Sequence, residues 1–108
     1  MAKIRKRRIH WVPPVDTDVV GYDVYVAPAS ESNVDFLNDA DAGNRIPTQR
    51  VPIPEYFPDQ EEGDWQYCVI VVDDAGNESD PYQHPDWQNV PLDVTAPGAA
   101  SGGGLDFG

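Results

Sequence analysis

Asp64-Trp65-Gln66-Tyr67-Cys68-Val69-Ile70-Val71-Val72-Asp73-Asp74-Ala75-Gly76-Asn77-Glu78-Ser79 holds the one long apolar run of the chain, and that run stops abruptly. From Trp65 to Val72 every residue except Gln66 is aromatic, β-branched or otherwise apolar, which suits a strand better than a helix. Asp73-Asp74-Ala75-Gly76-Asn77 then supplies residues that tolerate tight or left-handed backbone. The stretch reads as a central strand ending at a loop. With a period of two, Trp65, Tyr67, Val69 and Val71 face one way, and Cys68, Ile70 and Val72 face the other.

Working outward, the 11 Pro and 9 Gly of this 108-residue chain leave few windows long enough for a helix. One all-β domain with a modest core is the expectation. Upstream, Ile9, Trp11 and Val12 form a short apolar strand that halts at Pro13-Pro14, where two backbone donors are missing. Val15 to Val20 reads as a loop, and Tyr22-Asp23-Val24-Tyr25-Val26 as a second strand with Tyr22, Val24 and Val26 on one face. Ala27 to Asp41 is polar around a knot of Val34, Phe36 and Leu37, consistent with one helical turn or an irregular loop pinned by Phe36. Between Arg45 and Ile53 the prolines restrict any strand to a short or edge position, and Tyr56-Phe57-Pro58 leads into the central strand. Pro81 to Trp87 is too proline-rich for regular structure, although its aromatics should pack down. Asn89 to Thr95 gives a last strand, placed at an edge by Pro91.

Charge divides the chain unevenly. The net charge is −12, yet Lys3, Arg5, Lys6, Arg7 and Arg8 are five of the seven cations, so from Ile9 onward two cations face all 19 acids. This is a basic arm on an acidic body. Such a body repels phosphate, which makes nucleic acid an unlikely partner, and the arm reads either as a solubilising end or as a docking element. The single Cys68 excludes an intramolecular disulfide. No apolar stretch follows the basic start, so a secretory signal is not expected, and no run is long enough to cross a bilayer. The expectation is synthesis in the cytoplasm. At the other end, Ala96 to Gly104 is a linker by composition that ends in Leu105-Asp106-Phe107-Gly108.

Three pieces in order, Ile9-His10-Trp11-Val12-Pro13-Pro14, Gly21-Tyr22-Asp23-Val24-Tyr25 and Tyr67 to Ser79 with its Asp-Asp-Ala-Gly-Asn-Glu-Ser turn, resemble strands B, C and F of a bacterial-type fibronectin type III domain. The resemblance covers residues 9–95, leaving 1–8 as the basic arm and 96–108 as the Gly-rich tail. It implies an immunoglobulin-like Greek-key β-sandwich with Trp11 and Tyr22 between the sheets. Two departures stand out: strand A is absent or very short, and Trp65 stands where the family has the tyrosine of the tyrosine corner, so a donor-only indole must serve there. Without strand A, strand B exposes an edge that charge can blunt or an incoming strand can fill.

Candidate sites follow. Tyr25 joins Cys68, Ile70 and Val72 in an apolar outer stripe, which is either a contact surface or is covered by the Phe36-Leu37 segment or the Tyr82 to Trp87 loop. Leu105 and Phe107 have the layout of an anchor on a glycine tether. Asp16, Asp18, Asp73, Asp74, Glu78 and Asp80 gather at one pole if the resemblance holds, but as turn chemistry rather than a metal site. Asn77-Glu78-Ser79 matches a glycosylation acceptor, an accidental match without a signal peptide. His10 and His84 have no ligand spacing to Cys68, no nucleophile elbow or phosphate loop is present, and no metal or cofactor is expected. The resulting expectation is a non-enzymatic structural subunit that decorates or cements a larger assembly. It would dock through the arm, the outer stripe and the tail, with other protein subunits or copies of itself as partners. By analogy of fold the setting is a phage virion, as capsid decoration, tail or baseplate. The alternative is a carbohydrate- or cell-surface-binding module using Tyr82 and Trp87 as stacking faces.

Overall fold

The computed structural model of the chain describes residues 7–15, 18–93 and 102–105. The long apolar run is β5 (Gly63–Asp73), and β2 (Val19–Pro28) lies antiparallel beside it along its length. They are the middle of a four-stranded sheet whose edges are β3 (Gln49–Val51) and β6 (Val90–Leu92), in the order β3-β2-β5-β6. A second sheet pairs β1 (Ile9–His10) with β4 (Glu55–Tyr56), and helix α1 (Asn33–Asp41) completes the described elements with a 3-10 turn at Pro85–Trp87. The architecture is mostly β and sandwich-like.

The period of two in the sequence becomes two cores. In the β2/β5 register Tyr22 opposes Val71, Val24 opposes Val69 and Val26 opposes Tyr67. This face packs with Ile9, Trp11 and Tyr56 from the small sheet. Trp11 meets Tyr22 edge-to-face at 5.3 Å and Trp87 at 6.0 Å, the geometry that aromatic quadrupoles favour. The opposite face carries Tyr25, Ala27, Cys68 and Ile70, and α1 lies over it through Phe36 and Ala40. The third layer is therefore the segment expected to form one turn. Its extra length has a local cause: Ser32 caps the helix, accepting from Asp35 N through its hydroxyl, and Phe36 finds an apolar sheet face to bury against. Gln66, the one polar residue of the run, is fully buried, and its Nε2 donates to the carbonyls of Pro28 and Glu31 at 2.9 Å, tying the approach to α1 onto the sheet.

Several strand limits differ from the sequence reading. β2 begins at Val19, because an irregularity between Val19 and Gly21 absorbs the extra residue and keeps Tyr22 facing the core. A Cβ at Gly21 would come within 3.0 Å of Arg50 Cγ, so glycine lets the Arg50 side chain cross to Asp23, which accepts two bonds from it at 2.7 and 3.1 Å. The apolar character of Val12 misled: it lies beyond β1 and is exposed. β4 was missed because two residues, Glu55 and Tyr56, carry no alternation to read. Residues 94 and 95 of the expected last strand lie outside the described residues.

Phe36 has no exposed surface and sits over Cys68, whose thiol burial pushes up to about 12. Phe36→Ala is expected to lower stability by about 3–5 kcal/mol in chemical denaturation. It should also make Cys68 react with a thiol reagent at pH 8 under conditions where the parent stays masked.

Candidate docking site

Among the described residues β1 is paired on one side only. Ile9 opposes Tyr56 and His10 opposes Glu55, and the amide of Trp11 donates to Pro54 O at 3.2 Å. Antiparallel ladders alternate, so a strand whose residue 11 bonds its partner also directs residue 9 toward it. The N–H and C=O of His10, and those of Arg8, then point to the opposite side. Among the described residues no strand occupies that side.

Beside this edge lies a groove of ≈ 260 Å³. One wall is Arg7, Arg8, Ile9 and His10; the other is His84, Asp86, Trp87 and Val90. Ile9, Trp87 and Val90 are core residues and give it an apolar floor, while Arg7 and Arg8 bring positive charge to one wall and Asp86 negative charge to the other. Arg8 Nε donates to Glu55 Oε2 at 2.7 Å with half the side chain still exposed, and Arg7 is exposed. An ion pair of that exposure is worth at most about 1 kcal/mol, so Arg8 is not locked by it.

The structure redistributes the other sequence candidates. Tyr25, Cys68, Ile70 and Val72 are all buried, and the outer stripe is thus no open contact surface: α1 packs over Tyr25, Cys68 and Ile70 from within the chain. Trp87 is likewise buried at 6 % exposure, with Trp11, Tyr82 and His84 against its ring, so it offers no free stacking face. Tyr82 remains half-exposed. Leu105 is exposed at 78 %. Lys3, Arg5, Lys6 and Phe107 lie outside the described residues. What sequence reasoning missed is the far wall of the groove: Trp87 and Val90 meet β1 only because the chain between Ser79 and Val90 follows β5, a placement without a local signal.

At the acidic pole, a wider cleft of ≈ 640 Å³ includes Asp18, Asp73, Glu78 and Asp80 with Val19, Val71 and Tyr82, and Asp74 N donates to Asp18 O at 2.9 Å. Asp16 lies outside the described residues. Among those described, no three His, Cys, Asp or Glu side chains converge for a metal ion. The chemistry of the pole is turn chemistry: Asp73 accepts from Asn77 Nδ2 at 3.0 Å, Asn77 N at 2.8 Å and Ala75 N at 3.0 Å, and Gly76 takes φ +83°. These donors, Asn77 first, hold the Asp73 carboxyl below its ordinary value.

Comparison with protein-family models, with curated proteins and with solved structures returned no match for this chain. No helix among the described residues is long and apolar enough to cross a membrane.

A carboxyl whose folded value is depressed favours the folded turn above its ordinary range and loses that contribution as pH falls through the folded value. The Asp73 carboxyl carbon is therefore expected to titrate by NMR with a midpoint below about 3.9. Asn77→Ala should move that midpoint upward, while the β5 amides upstream of Val69 keep their shifts.

Proposed function

We propose that this chain is a non-enzymatic structural subunit, a fibronectin type III-like sandwich short of its first strand, that joins a larger assembly through its basic N-terminal edge and its C-terminal tail. One observation carries the reading: among the described residues β1 has a strand partner on one side only, and its other side borders a groove with an apolar floor and with Arg7 and Arg8 on its rim. The strand order β3-β2-β5-β6 against β1-β4 supports the kinship, since it matches strands C′-C-F-G against B-E of that family with strand A left out. Trp65 adds support, because its indole donates to Glu61 O at 2.8 Å and so ties the strand to backbone four residues upstream, the task of the tyrosine in a tyrosine corner.

The setting that suits such a subunit is a phage virion, as decoration, tail or baseplate component, by analogy of fold. Burial of Trp87 removes one of the two stacking faces on which glycan binding would depend. The direct test is the mass and composition of the particle recovered under mild salt from the native source. A multi-copy particle with one major partner is the expected result, and a free monomer arriving alone would count against the proposal. Arg7→Glu combined with Arg8→Glu is expected to lower occupancy in that particle by roughly tenfold or more, about 1.4 kcal/mol of docking energy.

A further inference from the structure

We propose that the open edge of β1 accepts Leu105-Asp106-Phe107 from a second copy of this chain as an added strand, an inference that rests on reading the chain as a docking subunit. The edge sets the pattern of its ligand. His10 and Arg8 direct their backbone groups outward from the sheet edge and their side chains to solvent, while Ile9 between them is buried in the core. Residues directly opposite in a ladder share a face. An incoming residue opposite Ile9 therefore enters the groove, and one opposite Arg8 or His10 stays outside, beside a cation where it meets Arg8. The fitting triplet places an apolar residue inward and an acid next to it outward.

Leu105-Asp106-Phe107 is apolar, acid, apolar. Only the parity that puts Asp106 outward lets both large side chains turn inward; a slip of one residue would drive the carboxylate into the floor formed by Ile9, Trp87 and Val90. The groove of ≈ 260 Å³ has room for a Leu or Phe side chain. The usable edge is limited on one side, because Pro13-Pro14 end pairing there. Main-chain hydrogen bonds to His10 and Arg8 would hold the segment, and alternate side chains would select it.

The second copy is favoured over the chain's own tail by what the isolated chain does. Gly103 and Gly104 have open space where a Cβ would stand, and Leu105 is 78 % exposed, so among the described residues the tail does not fill the groove. The 12 residue steps from Asp93 to Leu105 span up to about 40 Å, enough to reach a neighbouring molecule. Charge agrees: Arg45 and Arg50, the cations after Ile9, are paired with Glu31, Asp39 and Asp23, so a neighbour presents a largely uncompensated acidic body to Arg7 and Arg8. Such a tail-to-edge contact is heterologous, and it closes into a reciprocal pair or extends into a row.

Sedimentation of the full chain over a range of concentrations tests this, together with two altered chains. The parent should self-associate with rising concentration. Leu105→Ser with Phe107→Ser, and separately Arg7→Glu with Arg8→Glu, should each stay monomeric, and an equimolar mixture of the two should recover a two-copy species through one intact contact. Asp106→Lys leaves the sandwich untouched; it should be monomeric alone and associate with the Arg7→Glu, Arg8→Glu chain. In the associated parent, the His10 amide should exchange roughly tenfold or more slowly than in either monomeric variant. A parent that remains monomeric at every concentration overturns the proposal. If its His10 amide is nevertheless protected and released by the tail substitutions, the chain's own tail is the occupant. If the amide exchanges freely but the Arg7→Glu, Arg8→Glu chain is still lost from the native particle, the edge serves a different partner and the reading as a docking subunit survives.

Discussion

Everything in this fold answers to one constraint: β5 is apolar on both faces and has to be covered twice. A strand in an antiparallel sheet with one wet face would alternate polar and apolar residues. Here Tyr67 and Val69 require one cover, and Cys68 and Ile70 require another. The two-stranded sheet supplies the first and α1 the second. Arg45 lies over the Phe36 ring at 5.0 Å while pairing with Glu31 and Asp39, so one cation secures both the helix and the segment that leads into it.

The same strand shows how an edge is managed when it is meant to be closed. β6 pairs only with residues Gly63 to Trp65 of β5, yet the rest of that side is still partnered. Tyr82 and Val69 exchange backbone hydrogen bonds at 2.8 and 2.9 Å, Ser79 accepts from Val71 N through its hydroxyl, and the amide of Gln83 donates to Tyr67 O at 3.0 Å where the chain has left the ladder. An interrupted edge strand thus leaves few β5 groups orphaned. β1 receives no comparable repair among the described residues.

How much of this was legible in the chain depends on whether the signal was periodic. Trp65 to Val72 and Tyr22 to Val26 alternate over enough residues to assign both strands and both faces, and the structure puts each side chain where the alternation placed it. Phe36 was legible as a pin but α1 was not legible as a helix, because Asn33–Asp41 has weak helix formers and only Phe36 and Ala40 face inward. Two-residue strands such as β4 carry no period at all. The docking edge was half legible. The cations at Arg7 and Arg8 could be read from the sequence, whereas the floor from Trp87 and Val90 is assembled by tertiary packing across more than 70 residues of sequence.

The cations beside β1 then have two roles that are often opposed. Charge on an edge strand prevents indiscriminate pairing, since an incoming apolar strand would have to desolvate Arg7 and Arg8 without compensation. The same groups favour a strand that brings its own carboxylate at the right parity. A bare apolar edge would accept many partners and risk aggregation; a lysine- or arginine-guarded one accepts few. Pro13-Pro14 sharpen the filter further, because they end the ladder on one side. Under the proposed tail-to-edge contact, arginines at the rim and an apolar groove beside β1 select the strand together, with the acid supplying admission and the flanking large side chains supplying most of the hold.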